Sequence, residues 1–261
     1  MNISQDFLKT DLAFSSLNST KRIPDVIHYC WFGEGHPSRF ERNCIDSWKK
    51  QMPECSIKCW GKDDFDIGSI PFVKKAFEAK SWAFVADYIR LYALYTEGGI
   101  YMDTDVKMYK SLSPFQIHNF FIPTQVSLLT GYNLMSAIMG SIPSHPFLKV
   151  CLDYYAELMF ERENIRSYVI NPIMSRILFE GWGYEYLDKT VVLKDDIYVL
   201  SRSLFDNISN INKNINKKEY YAIHYCNQSW VPQNRGWLYK FCKKNDLMSF
   251  YIIIESLITK K

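Results

Sequence analysis

The sequence predicts an α/β fold built on a mostly parallel sheet, and three observations carry that prediction. Apolar runs of strand length alternate with amphipathic runs of helix length from Asp25 to Val106. The 261 residues are 48% hydrophobic and 16% aromatic, enough to fill a substantial core. The densest stretch, Phe84 to Val106, reads as a helix, a glycine stop and a short strand that delivers two carboxylates. Alternation of this kind lays helices on the faces of a sheet and puts ligands beyond the carboxyl ends of its strands.

Taken in order, residues 1–22 form a polar lead-in. Asp25 to Phe32 is a buried strand, ended by Gly33, Gly35 and Pro37. Pro37 begins a helix through Met52, with Phe40, Cys44, Ile45 and Trp48 on one face. Ser56 to Trp60 alternates as a second strand, and Asp63 to Asp66 is a solvated turn. Pro71 opens a short helix, and the central helix starts at Ser81. Gly98 and Gly99 stop it, because only glycine takes left-handed backbone without steric cost. Met102 to Val106 is then extended, so Asp103 and Asp105 point to one face.

Beyond Ser113 the pattern loosens. Phe120 to Ile122 and Leu134 to Met139 read as strands, and His145-Pro146 leads a helix through Phe160. A further helix runs from Pro172 to Glu180. Val191 to Leu200 and Tyr220 to Tyr225 are strands around an Asn/Lys-rich loop, Asn207 to Lys218. No repeat and no linker divides the chain, so residues 23–235 are read as one domain and 236–261 as a C-terminal helix.

Composition excludes several classes. A formal charge of +3 gives no argument for nucleic acid. Seven cysteines without a C-x-x-C pair read as buried hydrophobes in a reducing compartment, and Cys55 with Cys59 lacks the second pair a zinc finger needs. No apolar run of signal length follows a basic start, and Leu247 to Ile258 falls short of the roughly 20 residues a spanning helix needs. A cytoplasmic protein is expected. Lys243-Lys244 and Lys260-Lys261 flank that apolar stretch, so the terminal helix either closes the core or rests on an anionic membrane face.

The chemistry concentrates in the central stretch. Two like charges held side by side need a cation between them, or one must take a proton, so Asp103 and Asp105 suggest a divalent metal. Asp87 and Arg90, three apart on a mostly apolar helix, form a buried pair that a polar ligand would complete. His28 is read as structural, His36 and His145 as loop residues, and His224 as either a core histidine or a ligand. Gly181 to Tyr184, with Trp182, is either an acceptor subsite or a packing element.

The ordered segments Ile-Pro-x-x-Ile-His-Tyr-x-Trp-Phe-Gly at 23–33, Ala-Asp-x-x-Arg at 86–90 and Gly-Gly-Ile-Tyr-Met-Asp-Thr-Asp-Val at 98–106 resemble one family. Together with Pro-x-x-His-Pro-Phe-Leu-Lys at 143–149 and the Ala-Ile-His to Ser-Trp segment at 222–230, they look like the D-x-D sugar-binding glycosyltransferases of family 32. Many of those are capsule and O-antigen enzymes, and the large glucosylating bacterial toxins are more distant relatives. The resemblance implies a GT-A fold and retaining transfer of a hexose from a UDP-sugar to a saccharide acceptor, including a lipid-linked one. It also implies residue roles. Trp31 would stack on the base, Asp87 and Arg90 would hold ribose and sugar hydroxyls, and Tyr101 would line the donor pocket. Asp103 and Asp105 would bind a divalent ion, manganese ahead of magnesium, with a third contact from His224, Asn227, Gln228 or Ser229. Trp230 would close over the donor.

Two other classes fit parts of the sequence. Met102 to Val106 also has the form of a haloacid-dehalogenase phosphatase motif, with Asp195-Asp196 as its distal acidic pair. A non-catalytic sugar-binding module on a transferase fold is the second.

Overall fold

The computed structural model describes residues 20–33, 35–127, 131–207 and 216–226. Its first unit is a parallel pair: β1 (Val26–Cys30) and β2 (Ser56–Trp60) run side by side, Val26 opposite Ser56. Between them lies α1 (Arg39–Gln51). It starts two residues later than Pro37 suggests, because Ser38 and Glu41 form a reciprocal cap: the Ser38 amide donates to Glu41 Oε2 at 2.6 Å, and the Glu41 amide to Ser38 Oγ at 3.4 Å. Of the lead-in, residues 20–22 are described, and there the Arg22 amide donates to Gln116 O, as does the amide of Ile23.

Next come α2 (Pro71–Glu78), the central α3 (Trp82–Glu97), β3 (Gly99–Met102) and β4 (Val106–Met108). β3 joins the other side of β1 in parallel, with His28 opposite Tyr101. The sharp return from α3 into β3 depends on Gly98 and Gly99, at φ 67° and 98°. A Cβ on Gly99 would stand 2.5 Å from Val26 Cγ1 and 2.6 Å from Val26 O, so close approach demands glycine as much as the dihedral does.

The second half comprises β5 (Phe120–Ser127), β6 (Gly131–Leu134), β7 (Ile138–Ser141), α4 (Pro146–Ala156), α5 (Ile170–Trp182), β8 (Val191–Leu193), β9 (Ile197–Leu200), β10 (Phe205–Asn207) and β11 (Ala222–His224). Among the described residues the main sheet has the order β2-β1-β3-β7-β5-β9-β8, with β6 paired to β5. The α/β class holds, but the sheet is mixed rather than mostly parallel. β7 runs antiparallel to both β3 and β5, continuing the direction of β6, which is itself antiparallel to β5; β8 is antiparallel to β9 because a short hairpin rather than a helical crossover joins them. Two antiparallel steps restore direction, so β1, β2, β3, β5 and β9 all end at one edge. A three-stranded sheet, β10-β11-β4, stands apart.

Period-2 alternation sorts side chains between two cores. Tyr101, Phe120, Ile122, Ile197 and Val199 pack with α2, α3, α4 and α5. Ile27, Ile100, Met102, Phe121 and Leu200 pack with Trp48 of α1 and with Val106, Phe205 and Ala222 of the small sheet. Both faces are covered, which is why β3 is apolar at every position.

Several local expectations change. Leu134 to Met139 is not one strand: the chain turns at Met135–Ala137, where the Ile138 amide donates to Met135 O at 3.2 Å. Val191 to Leu200 is a hairpin whose tip, Asp195-Asp196, has φ of 62° and 56°. His145 is a buried cap that accepts the Phe147 amide at 3.2 Å, not a loop residue. At Gly181 to Tyr184 the packing reading prevails: Tyr184 is buried and Trp182 Nε1 donates to Asp195 Oδ2 at 2.8 Å. Cys55 groups with Asp25 and Glu54, both paired by Lys21, and not with Cys59. Among the described residues no helix is long and apolar enough to cross a membrane. The 236–261 helix lies outside the described residues.

Candidate functional site

Tyr101 and Asp103, two apart, leave β3 on the face covered by α3. The strand ends at Met102, and the next residues turn tightly: the Asp103 amide donates to Ala137 O at 3.0 Å and the Val106 amide to Asp103 O at 2.9 Å. β4 then leaves the main sheet for β11. The expected single extended face for Asp103 and Asp105 is therefore corrected. A turn between two sheets brings these carboxylates together, Asp103 on the α3 side and Asp105 on the β11 side.

His224 enters from β11, opposite Val106. Its Nε2 lies 3.2 Å from Asp105 Oδ1, and ligand atoms of Asp103, Asp105 and His224 all fall within 4.8 Å of one another. Burial disfavours the charged imidazole, yet Cys226 and Asp105 outweigh it and carry His224 well above its ordinary pKa. The Tyr225 amide donates to Asp105 O at 3.0 Å, tying this turn to the small sheet.

Arg90 braces the other side. Its Nη2 is 2.9 Å from Asp87 Oδ1 and 3.3 Å from Asp103 Oδ1, and its guanidinium lies over the Tyr101 ring at 4.8 Å. Tyr101 donates its hydroxyl to Asp103 Oδ1 at 2.9 Å. Burial is the main force on Asp87 and pushes its pKa up to about 7 against the attraction of Arg90, with Asp103 adding to the rise. Burial also works against the Arg90 charge, but Asp103, Tyr101 and Asp87 more than offset it. The like charges read from the sequence thus have Arg90 and His224 as partners within the chain.

Trp31 is half-buried just past the end of β1, its Nε1 donating to Gly35 O at 2.9 Å. Since β1 and β3 are parallel neighbours in register, Trp31 and the carboxylate turn leave the same edge. His28 is structural as expected: Trp60 Nε1 donates to its Nδ1 at 3.0 Å, and its Nε2 donates to Gly98 O at 2.8 Å. Asn227, Gln228, Ser229 and Trp230 lie outside the described residues. Sequence reasoning missed Ser136, whose O and Oγ accept from Arg90 Nη1 at 3.1 and 3.3 Å. It also missed Cys30, which burial pushes above the thiolate range beside Arg90 and Tyr101. No spacing rule links either residue to Arg90.

Asp195 and Asp196 precede β9, so they sit at the opposite edge from Asp103. There they accept from Trp182, His118 and the Asn119 amide. The distal pair of the phosphatase reading is therefore absent from this crevice. Two carboxylates and an imidazole form an oxygen and nitrogen donor set that fits a divalent cation.

Residues 38–122 match the family described as "Glycosyltransferase sugar-binding region containing DXD motif". Over 234 residues the chain is 28% identical to an uncharacterized glycosyltransferase of Acanthamoeba polyphaga mimivirus, covering 85% of this chain and 87% of that one. Over 195 residues it is 27% identical to inositol phosphoceramide mannosyltransferase 3 of Schizosaccharomyces pombe, covering 70% of this chain and 52% of that protein, so it spans about half the yeast relative's length. Solved structures similar to it include the PaToxG glycosyltransferase, with TM-score 0.47 and 14% identity over 67% of this chain and 75% of that one. A glycosyltransferase involved in the glycosylation of the major capsid of PBCV-1 gives TM-score 0.44 and 9% identity over 78% of this chain and 94% of that one.

Proposed function

Because the chain carries the DXD-containing sugar-binding region of glycosyltransferases on an α/β layout of the GT-A kind, we propose that it moves a hexose from a nucleotide-sugar, a UDP-sugar first, to a saccharide acceptor with retention. The observation that carries the reading is the convergence of Asp103, Asp105 and His224 at the turn between β3 and β4, beside β11, with Arg90 and Asp87 next to them. Trp31 offers an aromatic face for the base. Asp87 and Arg90 meet ribose and sugar hydroxyls, Tyr101 lines the donor pocket, and Trp230 covers the donor.

Asp103, Asp105 and His224 would hold the divalent cation, and the imidazole favours manganese over magnesium. When bound, such an ion neutralises charge on the departing diphosphate as a Lewis acid. Arg90, locked on Tyr101, keeps a second positive charge beside that position. Residues 23–235 form the catalytic domain in this proposal, and the setting is the cytoplasm or its membrane face. For the acceptor, the sequence resemblance favours capsule or O-antigen saccharides, whereas the yeast relative is named for mannosyl transfer to inositol phosphoceramide.

A panel of UDP-sugars and a nucleotide-mannose donor, screened for manganese-dependent hydrolysis, tests the proposal. One donor is expected to turn over and to stop with chelator. Asp103→Ala or Asp105→Ala should lose turnover with the fold intact, and full activity in either contradicts the site. Magnesium-dependent phosphatase turnover without nucleotide-sugar binding would favour the phosphatase reading. Sugar binding without turnover would favour the non-catalytic module.

A further inference from the structure

α5 buries mostly apolar side chains, yet one of its faces carries Asn171 and Ser175, four residues apart. Ser175 is fully buried; its hydroxyl donates to Asn171 O at 2.7 Å and accepts the Leu134 amide at 2.9 Å. Asn171 Oδ1 accepts the Ser136 amide at 3.0 Å. The first turns of α5 therefore hold both ends of the short segment where β6 gives way to β7. The same turn receives the Asp103 amide on Ala137 O at 3.0 Å, and its own Met135 amide donates to Pro123 O at 2.7 Å. Apolar residues at 171 and 175 would leave these backbone donors unpaired, which is costly in a buried segment.

What this clamp presents to the crevice is Ser136, itself buried, which takes Arg90 Nη1 on both oxygens. The other guanidinium contacts divide in two. Nε to Ala86 O at 3.3 Å and Nη2 to Asp87 at 2.9 Å lie within α3, and a side chain swinging on its own helix can keep contacts of that kind. Among the described residues, only Ser136, Asp103 and the Tyr101 ring hold Arg90 from outside α3. Asp103 is one of the three converging ligand residues, so its bond to Arg90 competes with any cation bound there.

We propose that Ser136, backed by Asn171, is the positioning residue of Arg90: it keeps the guanidinium aimed at the crevice while Asp103 changes partners. This rests on the donor-site reading of that crevice, and neither residue touches the reacting atoms.

Asn171→Leu removes the acceptor for the Ser136 amide, whereas Asn171→Asp keeps it and suits the start of a helix. With the best donor of the panel, Asn171→Leu should raise KM about tenfold, the scale seen when a supporting partner behind a ligand is lost. Asn171→Asp should restore KM to near wild type. Separately, urea midpoints of Asn171→Leu, Arg90→Gln and the double variant should show overlapping losses, the double falling short of the sum. Wild-type donor KM in Asn171→Leu despite a lower midpoint, or full additivity in the cycle, overturns the proposal. If Arg90→Gln itself leaves donor KM unchanged, the donor-site reading fails instead, and the additivity measurement still decides whether Asn171 and Arg90 are coupled.

Discussion

Replacing Arg90 with methionine removes the guanidinium while keeping a long apolar stem against Tyr101. Two effects follow, and pH separates them. In the first, Asp103 and the Ser136 oxygens lose a partner in a nearly closed site, where the Arg90 side chain is only 7% exposed. Removing one member of a buried pair costs about 3–5 kcal/mol, and the 26% exposure of Asp103 argues for the lower end. The second effect belongs to Asp87, whose carboxyl burial already holds at about 7, above its ordinary 3.8. A folded pKa above the unfolded one means the native state binds more protons between those values. Stability therefore falls as pH rises towards 7 and then levels off in the wild type. Without Arg90 the carboxyl titrates higher still, so the variant continues to lose stability beyond that point. The wild-type-to-variant gap should be nearly constant from pH 5.5 to about 7 and then widen by about 1 kcal/mol per pH unit. Urea unfolding in chelator between pH 5.5 and 8.5 measures this, and the same comparison in an Asp87→Asn background should show no widening. A gap that is flat across the whole range would refute the account of Asp87 as a buried carboxylate supported by Arg90.

Gly99→Ala puts a Cβ 2.5 Å from Val26 Cγ1 at a φ of 98°, so strain and overpacking add. The expected loss is about 3 kcal/mol or more, and a urea midpoint within ~1 kcal/mol of wild type would show that β1 and β3 can separate there. His28 offers a second pH test. Burial lowers its pKa although Gly98 O and Glu97 favour the charged form, so the unfolded chain takes up a proton before the folded one does. Its contribution is complete above about 6.5 and is lost as pH falls from there towards the lower folded value. His28→Gln should flatten that part of the stability profile between pH 7 and 5, and an unchanged slope would exclude His28 as its source.

Local signals were readable wherever a short-range rule governs them. β2, α2 and the start of α3 follow from alternation, Pro71 and the amphipathic run, and Gly98-Gly99 from the backbone they must adopt. Ser38-x-x-Glu41 was a legible cap that the more conspicuous Pro37 obscured. The Leu134 to Met139 run misled because its apolar residues are buried on both sides of a turn that interrupts the strand without reversing it: β6 and β7 both run antiparallel to β5. His145 looked like a loop residue because a capping role depends on which amide its ring reaches.

By itself the sequence determined that Asp87, Arg90, Tyr101, Asp103 and Asp105 would be close, since they lie on one helix–glycine–strand unit whose local geometry has few alternatives. It could not determine how the two carboxylates converge, because that depends on β4 leaving the main sheet to pair with β11. Nor could it choose His224, more than a hundred residues away, or Ser136 and Asn171, which come from other elements. Those partners are set by the mixed strand order and the two-core packing, and contacts between distant segments exist only once burial has paired the strands. The charges were legible in the chain; what neutralises and aims them was decided by the tertiary fold.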